Sequence, residues 1–149
     1  MRKLLFILFI FILEIPVFSN EYSRLRGKWI IESKIPVSGT VYSMNSFECL
    51  GKVLVFKENS VCYENIEYQI TEINEELLDS DLLYNATKGI DSIGVTFEDL
   101  GIKAKKVVSI DIKIMHSVIP GEWILITGED HIIVFYLGYY FTATKIEDR

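Results

Sequence analysis

This chain holds few of the residues from which active sites are built. Of its 149 residues, only two are histidine and two are cysteine. His116 and His131 stand in no His-x-x-x-His or Glu-x-x-His arrangement, so the spacing of a zinc site is missing. Cys49 and Cys62 lie too far apart for a CxxC redox pair, and without neighbouring histidines they make a poor metal site. No serine occupies a Gly-x-Ser-x-Gly turn, and the neighbours Asp130 and His131 on one turn are poorly placed to face each other as half a triad. The sequence thus offers no catalytic residue, no metal site and no cofactor motif, and it reads as a non-enzyme. Positive charge is also scarce: 15 Lys and Arg against 21 Asp and Glu give a net charge of −6. That balance argues against nucleic acid or an anionic membrane as partner, since both select for clustered Lys and Arg. Lys103-Ala-Lys105-Lys106 is the one basic cluster, and it reads as the solvated start of a strand. Repeats, low-complexity tracts and linkers are absent.

Long apolar runs are missing too, with one exception. Met1-Arg-Lys is followed by the unbroken run Leu4–Leu13, then by Glu14, Pro16 and Val17-Phe18-Ser19. A basic head, about ten apolar residues and a small-residue site form a secretory signal, and cleavage is expected near Ser19/Asn20. The run is too short to span a bilayer, which takes about 20 apolar residues. The expected organisation is therefore a signal peptide over 1–19 and one domain over 20–149, secreted or periplasmic, with no membrane span after cleavage. The net charge then becomes −7, because two cations and one anion leave with the signal. A mature domain of about 130 residues buries enough surface to fold without a metal or a disulfide framework. In an oxidising compartment Cys49 and Cys62 either form a disulfide or remain two separately buried thiols. A bridge would close a loop of about fourteen residues, worth about 3 kcal/mol.

What remains is rich in Ile, Val and aromatics, which suits strands. Strands are predicted over Gly27–Ile35, Lys52–Phe56, Val61–Tyr63, Tyr68–Ile73, Val95–Phe97, Val108–Ile114, Glu122–Thr127, His131–Tyr136 and Tyr139–Lys145. In Val108–Ile114 the alternation is clean: Val108, Ile110, Ile112 and Ile114 on one face, Ser109, Asp111 and Lys113 on the other. One short helix is predicted over Ser43–Gly51, capped by Ser43 and ended by Gly51 in the left-handed position. Asn74 to Asp91 is polar and acidic, without a clear element. Glu72, Glu75, Glu76, Asp79 and Asp81 there lack the Gly-punctuated spacing of a calcium loop and read as a solvated loop. Short strands, tight turns and no crossover helix indicate an all-β antiparallel meander, which closure into a barrel would free of edges.

Several short motifs are similar to those of small exported bacterial proteins of the lipocalin-like (calycin) type. They are Gly27-Lys28-Trp29 opening the first strand, Leu50-Gly51-Lys52, Asp99-Leu-Gly-Ile102 and Gly121-Glu-Trp123-Ile-Leu. The resemblance implies an eight-stranded up-and-down barrel in which Trp29 plugs the closed end. It also implies that Lys145, standing where Arg is commoner, lies across the indole ring, so that Gly27, Trp29 and Lys145 form a structural set.

Function follows as an expectation. The chain is read as a monomeric, secreted binding protein for a small apolar or amphipathic ligand, with Phe47, Phe56, Tyr63, Phe97, Trp123, Phe135 and Tyr140 as candidate cavity-lining residues. The alternative is an extracytoplasmic protein-binding module, an inhibitor or immunity-type factor, that meets a basic partner through the acidic stretch Asn74–Asp91.

Overall fold

A computed structural model describes residues 21–38, 48–91 and 93–147. The expected signal peptide, and with it the cleavage site, lies outside them. The elements run α1 (Tyr22–Leu25), β1 (Gly27–Ile35), β2 (Val53–Phe56), β3 (Ser60–Tyr63), β4 (Ile66–Leu78), α2 (Ser80–Asp91), β5 (Val107–Ile114), β6 (Trp123–Ile126), β7 (His131–Tyr136) and β8 (Tyr139–Ile146). Each strand pairs antiparallel with the next, and β8 returns to β1, closing an eight-stranded up-and-down barrel. Every strand thus has a paired neighbour on both sides, although β3 covers only Ile66–Gln69 of the longer β4. No helix among the described residues is long and apolar enough to cross a membrane.

Strand phase divides the apolar residues into two cores. Trp29, Ile31, Leu54, Phe56, Val61, Ile110, Ile112, Ile124, Val134 and Phe141 belong to one buried cluster that also takes in residues of β4. All eight strands contribute to it, which only the interior of a closed barrel allows. Ile119, from the β5–β6 connection, is buried in the same cluster, and a Cβ on neighbouring Gly121 would meet Leu54 and Phe56 at 3.2 Å. That connection is tucked against the interior. The interior packs less tightly around Tyr68, Ile70, Ile73 and Ile114, which are only partly buried. The second cluster lies on the outer wall, where Leu83 and Phe97 of the long β4–β5 connection pack with Leu78, Leu125, Ile133 and Tyr140.

The Trp29 end is closed by α1. Trp29 Nε1 donates to the Leu25 carbonyl at 2.6 Å, and Tyr22 donates through its hydroxyl to the Lys57 carbonyl at 2.6 Å. The Tyr22 backbone N–H, one of the unpaired donors of a helix start, is met by Glu75 Oε1 at 2.8 Å. Gly27 adopts φ +120°, a conformation that side-chain-bearing residues rarely take. The Gly-x-Trp motif is thus a backbone requirement followed by a plug.

Two expectations are corrected, and the choice left open for the cysteines is decided. The acidic stretch is not a loop: β4 runs on to Leu78, and α2 follows. Pairing with the whole of β5 outweighs the low strand propensity of Asn74-Glu-Glu. Asp79 caps α2 by accepting the Leu82 N–H at 3.0 Å, and the helix buries Leu83 and Thr87 one turn apart. Val95–Phe97 is not a strand, because its N–H groups go to side chains: Val95 donates to Thr87 Oγ1 at 2.8 Å and Phe97 to Ser80 Oγ at 3.1 Å. Cys49 and Cys62 are not joined by a disulfide. Cys49 sits in the interior cluster, while Cys62, between inward Val61 and Tyr63, points outward, so the barrel wall separates them. The helix predicted over Ser43–Gly51 falls largely outside the described residues; its last residues form a tight turn with Gly51 at φ +75°.

Candidate functional site

The seven expected ligand contacts do not share one cavity. Phe56 and Tyr63 face the interior. Phe97, Trp123, Phe135 and Tyr140 face outward, in the cluster beneath the β4–β5 connection. Phe47 lies outside the described residues. The three outward rings that neighbour one another are Trp123, Phe135 and Tyr140, with centroids 5.3 to 6.2 Å apart and tilted or edge-to-face planes.

Cross-strand register explains why they meet. Asn74 pairs with Asp111, Asp111 with Trp123, Trp123 with Phe135 and Phe135 with Tyr140. Directly opposed residues share a face, so these five form one outward rung across β4 to β8. The rung changes character along its length, from amide and carboxylate to indole and phenyl. The next rung starts with Glu76 opposite Ser109. Ser109 Oγ accepts the Trp123 Nε1–H at 2.6 Å, which fixes the indole against the wall.

An open cleft of about 430 Å³ lies over this rung. Its floor is Asn74, Asp111, Trp123 and Phe135, with Glu76, Leu78 and Ser109 beside them; Ala86 of α2 forms one bank, and Val118, Ile119, Glu122, Tyr136 and Leu137 form the other. Val118 and Leu137 are 66% and 47% exposed at the rim. Leu137 has φ +50°, unusual for a bulky residue, and is followed by Gly138 at φ +84° in the tight β7–β8 turn. Glu122 Oε1 accepts the Ile119 N–H at 2.7 Å. Burial, followed by the negative charge of Asp111, outweighs that bond and raises the Glu122 carboxyl above its ordinary pKa. Two further clefts, of about 480 and 460 Å³, also border the outer wall, the first beside Leu100–Ala104 and the second over Lys28, Lys52 and Cys62. Neither has an aromatic floor.

The remaining sequence candidates are dispersed. His116 is exposed on the β5–β6 connection, and His131 opens β7 with its Nδ1 3.4 Å from Thr144 Oγ1. Among the described residues no three His, Cys, Asp or Glu side chains converge to hold a metal ion. The acidic residues expected to form one surface also part company. Glu72 pairs with Lys113 at 2.8 Å, Glu75 caps α1, Glu76 borders the cleft and Asp79 caps α2. The cleft residues that sequence reasoning missed are Asn74, Asp111, Glu122, Val118 and Leu137; Glu76 was noted only within the acidic stretch. Their signal lay in strand register, which is not visible in a single strand's alternation.

No family model, curated protein or solved structure matches the chain.

Proposed function

We propose that the chain is a secreted, lipocalin-like binding protein for a small apolar or amphipathic molecule, held in the cleft on the outer wall of its barrel. The observation that carries this reading is the cleft over the Trp123–Phe135 pair. At about 430 Å³ it is within the usual range of small-molecule sites, about 300–1,000 Å³. Its walls combine rings and aliphatic side chains with a few polar groups, the composition that binds an apolar body and orients a polar end. Export is supported by the N-terminal pattern of basic head, apolar run and small-residue site.

Native mass spectrometry of the exported, detergent-free protein tests both parts. A mature chain beginning near Asn20 and carrying a bound small molecule that Trp123→Ala no longer retains is expected. A chain retaining its first residues contradicts export. A ligand kept by Trp123→Ala but lost on blocking the interior with Ala143→Phe contradicts the site.

A further inference from the structure

We propose that the ligand of this cleft is an organic cation, an ammonium group carried on an apolar body. The inference rests on the cleft being the binding site and names the chemistry of its occupant. Asp111 and Glu76 project from adjacent rungs of β4 and β5, and Glu122 faces them from the β5–β6 connection. No Lys, Arg or His lines the cleft. Lys113, on the same outward face, is held by Glu72 at 2.8 Å, and its charge reaches Asp111 more weakly. Among the described residues neither Glu76 nor Asp111 has a hydrogen bond or ion pair of its own. Carboxylates gathered on one face give the cleft a negative field, to which an incoming positive charge is drawn. Burial is the main reason the Glu122 carboxyl is raised, and the charge of Asp111 adds a smaller push in the same direction.

The aromatic half of the rung fits the same occupant. Trp123 is the direct cross-strand neighbour of Asp111, so a carboxylate and an indole stand side by side on the floor. With its N–H bound to Ser109, the indole is fixed, and its π system attracts a desolvated ammonium. Phe135 and the exposed rim residues Val118 and Leu137 then offer surface to an alkyl or aryl body. An anion is repelled by three carboxylates. A bare metal ion is disfavoured by spacing, because these carboxylates do not converge as ligands. A bulky cation needs no convergence and fills the volume.

Titration calorimetry on the full mature protein, with octyltrimethylammonium, octanol and octyl sulfate below their micellar ranges, tests the inference. The ammonium should bind saturably and at least about tenfold tighter than octanol, a difference of about 1.4 kcal/mol, and the sulfate weakest of the three. The Glu76→Gln/Asp111→Asn double variant changes only exposed strand positions. With its circular dichroism unchanged, it should bind the ammonium no better than octanol. Raising salt from about 20 to about 500 mM should weaken ammonium binding to the native protein more than to the variant, which keeps only Glu122. Equal binding of ammonium and octanol overturns the cation while leaving the apolar binding site standing. Ammonium preference that survives the double variant overturns the assigned carboxylates. Binding of none of the three overturns both.

Discussion

The ammonium of Lys145 lies 5.4 Å from the ring centroid of Trp29, and the two residues are direct partners in the β1–β8 ladder. The lysine also donates to the Arg24 carbonyl at 3.2 Å, while the indole N–H binds the Leu25 carbonyl. First strand, last strand and N-terminal turn are therefore joined at one point. Most of the energy there is packing, since Trp29 is almost wholly buried and a lysine that still reaches solvent adds only about 0.5–1 kcal/mol over the ring. Trp29→Ala should lose about 3–5 kcal/mol in urea denaturation, whereas Lys145→Met, which keeps the stem, should lose under about 1 kcal/mol. Equal losses from the two would place the closure energy in the charge.

Gly27 makes the approach possible. A Cβ there would come within 3.3 Å of Lys145 Cε, the yielding end of a flexible side chain, while φ +120° cannot be relieved by moving a neighbour. Gly27→Ala should cost about 1–3 kcal/mol, and adding Lys145→Ala should recover little of it. Full recovery in the double variant would make the contact, and not the backbone, the constraint.

Thr87 secures the outer layer. It is 1% exposed; its hydroxyl donates to the Leu83 carbonyl at 2.9 Å and accepts the Val95 N–H at 2.8 Å. Thr87→Val keeps the volume but strands a buried N–H and should cost about 1–3 kcal/mol. Thr87→Ser keeps the acceptor and should be the milder change in thermal unfolding, despite losing the methyl.

The two cysteines should differ in reactivity. Burial pushes the Cys49 thiol up to about 11, leaving almost no thiolate at neutral pH. Cys62 is outward and partly exposed. A disulfide-exchange reagent at pH 8 should titrate one thiol in the native protein and two after unfolding, and Cys62→Ser should abolish the native reaction. Absence of any free thiol in the unfolded protein would show a bridge instead.

Glu122 supplies a pH dependence of defined sign. Its carboxyl has a higher pKa folded than unfolded, so ionisation is disfavoured in the native state. That penalty is absent where both states are protonated, below about pH 4.3, and grows as pH rises through the folded value. Glu122→Gln, which retains an acceptor for the Ile119 N–H, should be more stable than the native protein at pH 7 and lose that advantage at pH 3. The same stability difference at both values would contradict the shift.

How much of this was legible in the sequence depends on range. The first strand emerges with the same ends, Gly27 and Ile35, because Gly-x-Trp and the following turn mark it locally. The hairpins around Lys57–Asn59, Leu137-Gly138 and Gly128–Asp130 are equally local, and each holds the turn its residues suggest. The far end of β4 was hidden because Asn74-Glu-Glu is ordered by partners more than thirty residues away. A register shift between Ile70 and Glu72 then reverses the simple alternation, so Ile73 and Glu75 turn inward and Asn74 and Glu76 outward. Without that shift, neither the rung from Asn74 to Tyr140 nor the cleft above it can be drawn. Trp123 and Phe135 were recognisable as ligand candidates by type, but which side of the wall they occupy follows only from closure of the barrel.

The proposed ligand surface lies on the outer wall and not in the interior. Intermolecular nuclear Overhauser effects from the alkyl protons of bound octyltrimethylammonium test it most directly. Contacts to the Trp123 and Phe135 rings and to the Leu137 methyls, with none to the methyls of Leu54, Ile110 or Ile124, are the predicted result. Contacts to Leu54, Ile110 and Ile124 without those to Trp123 would place the ligand inside the barrel and rule out the outer-wall site.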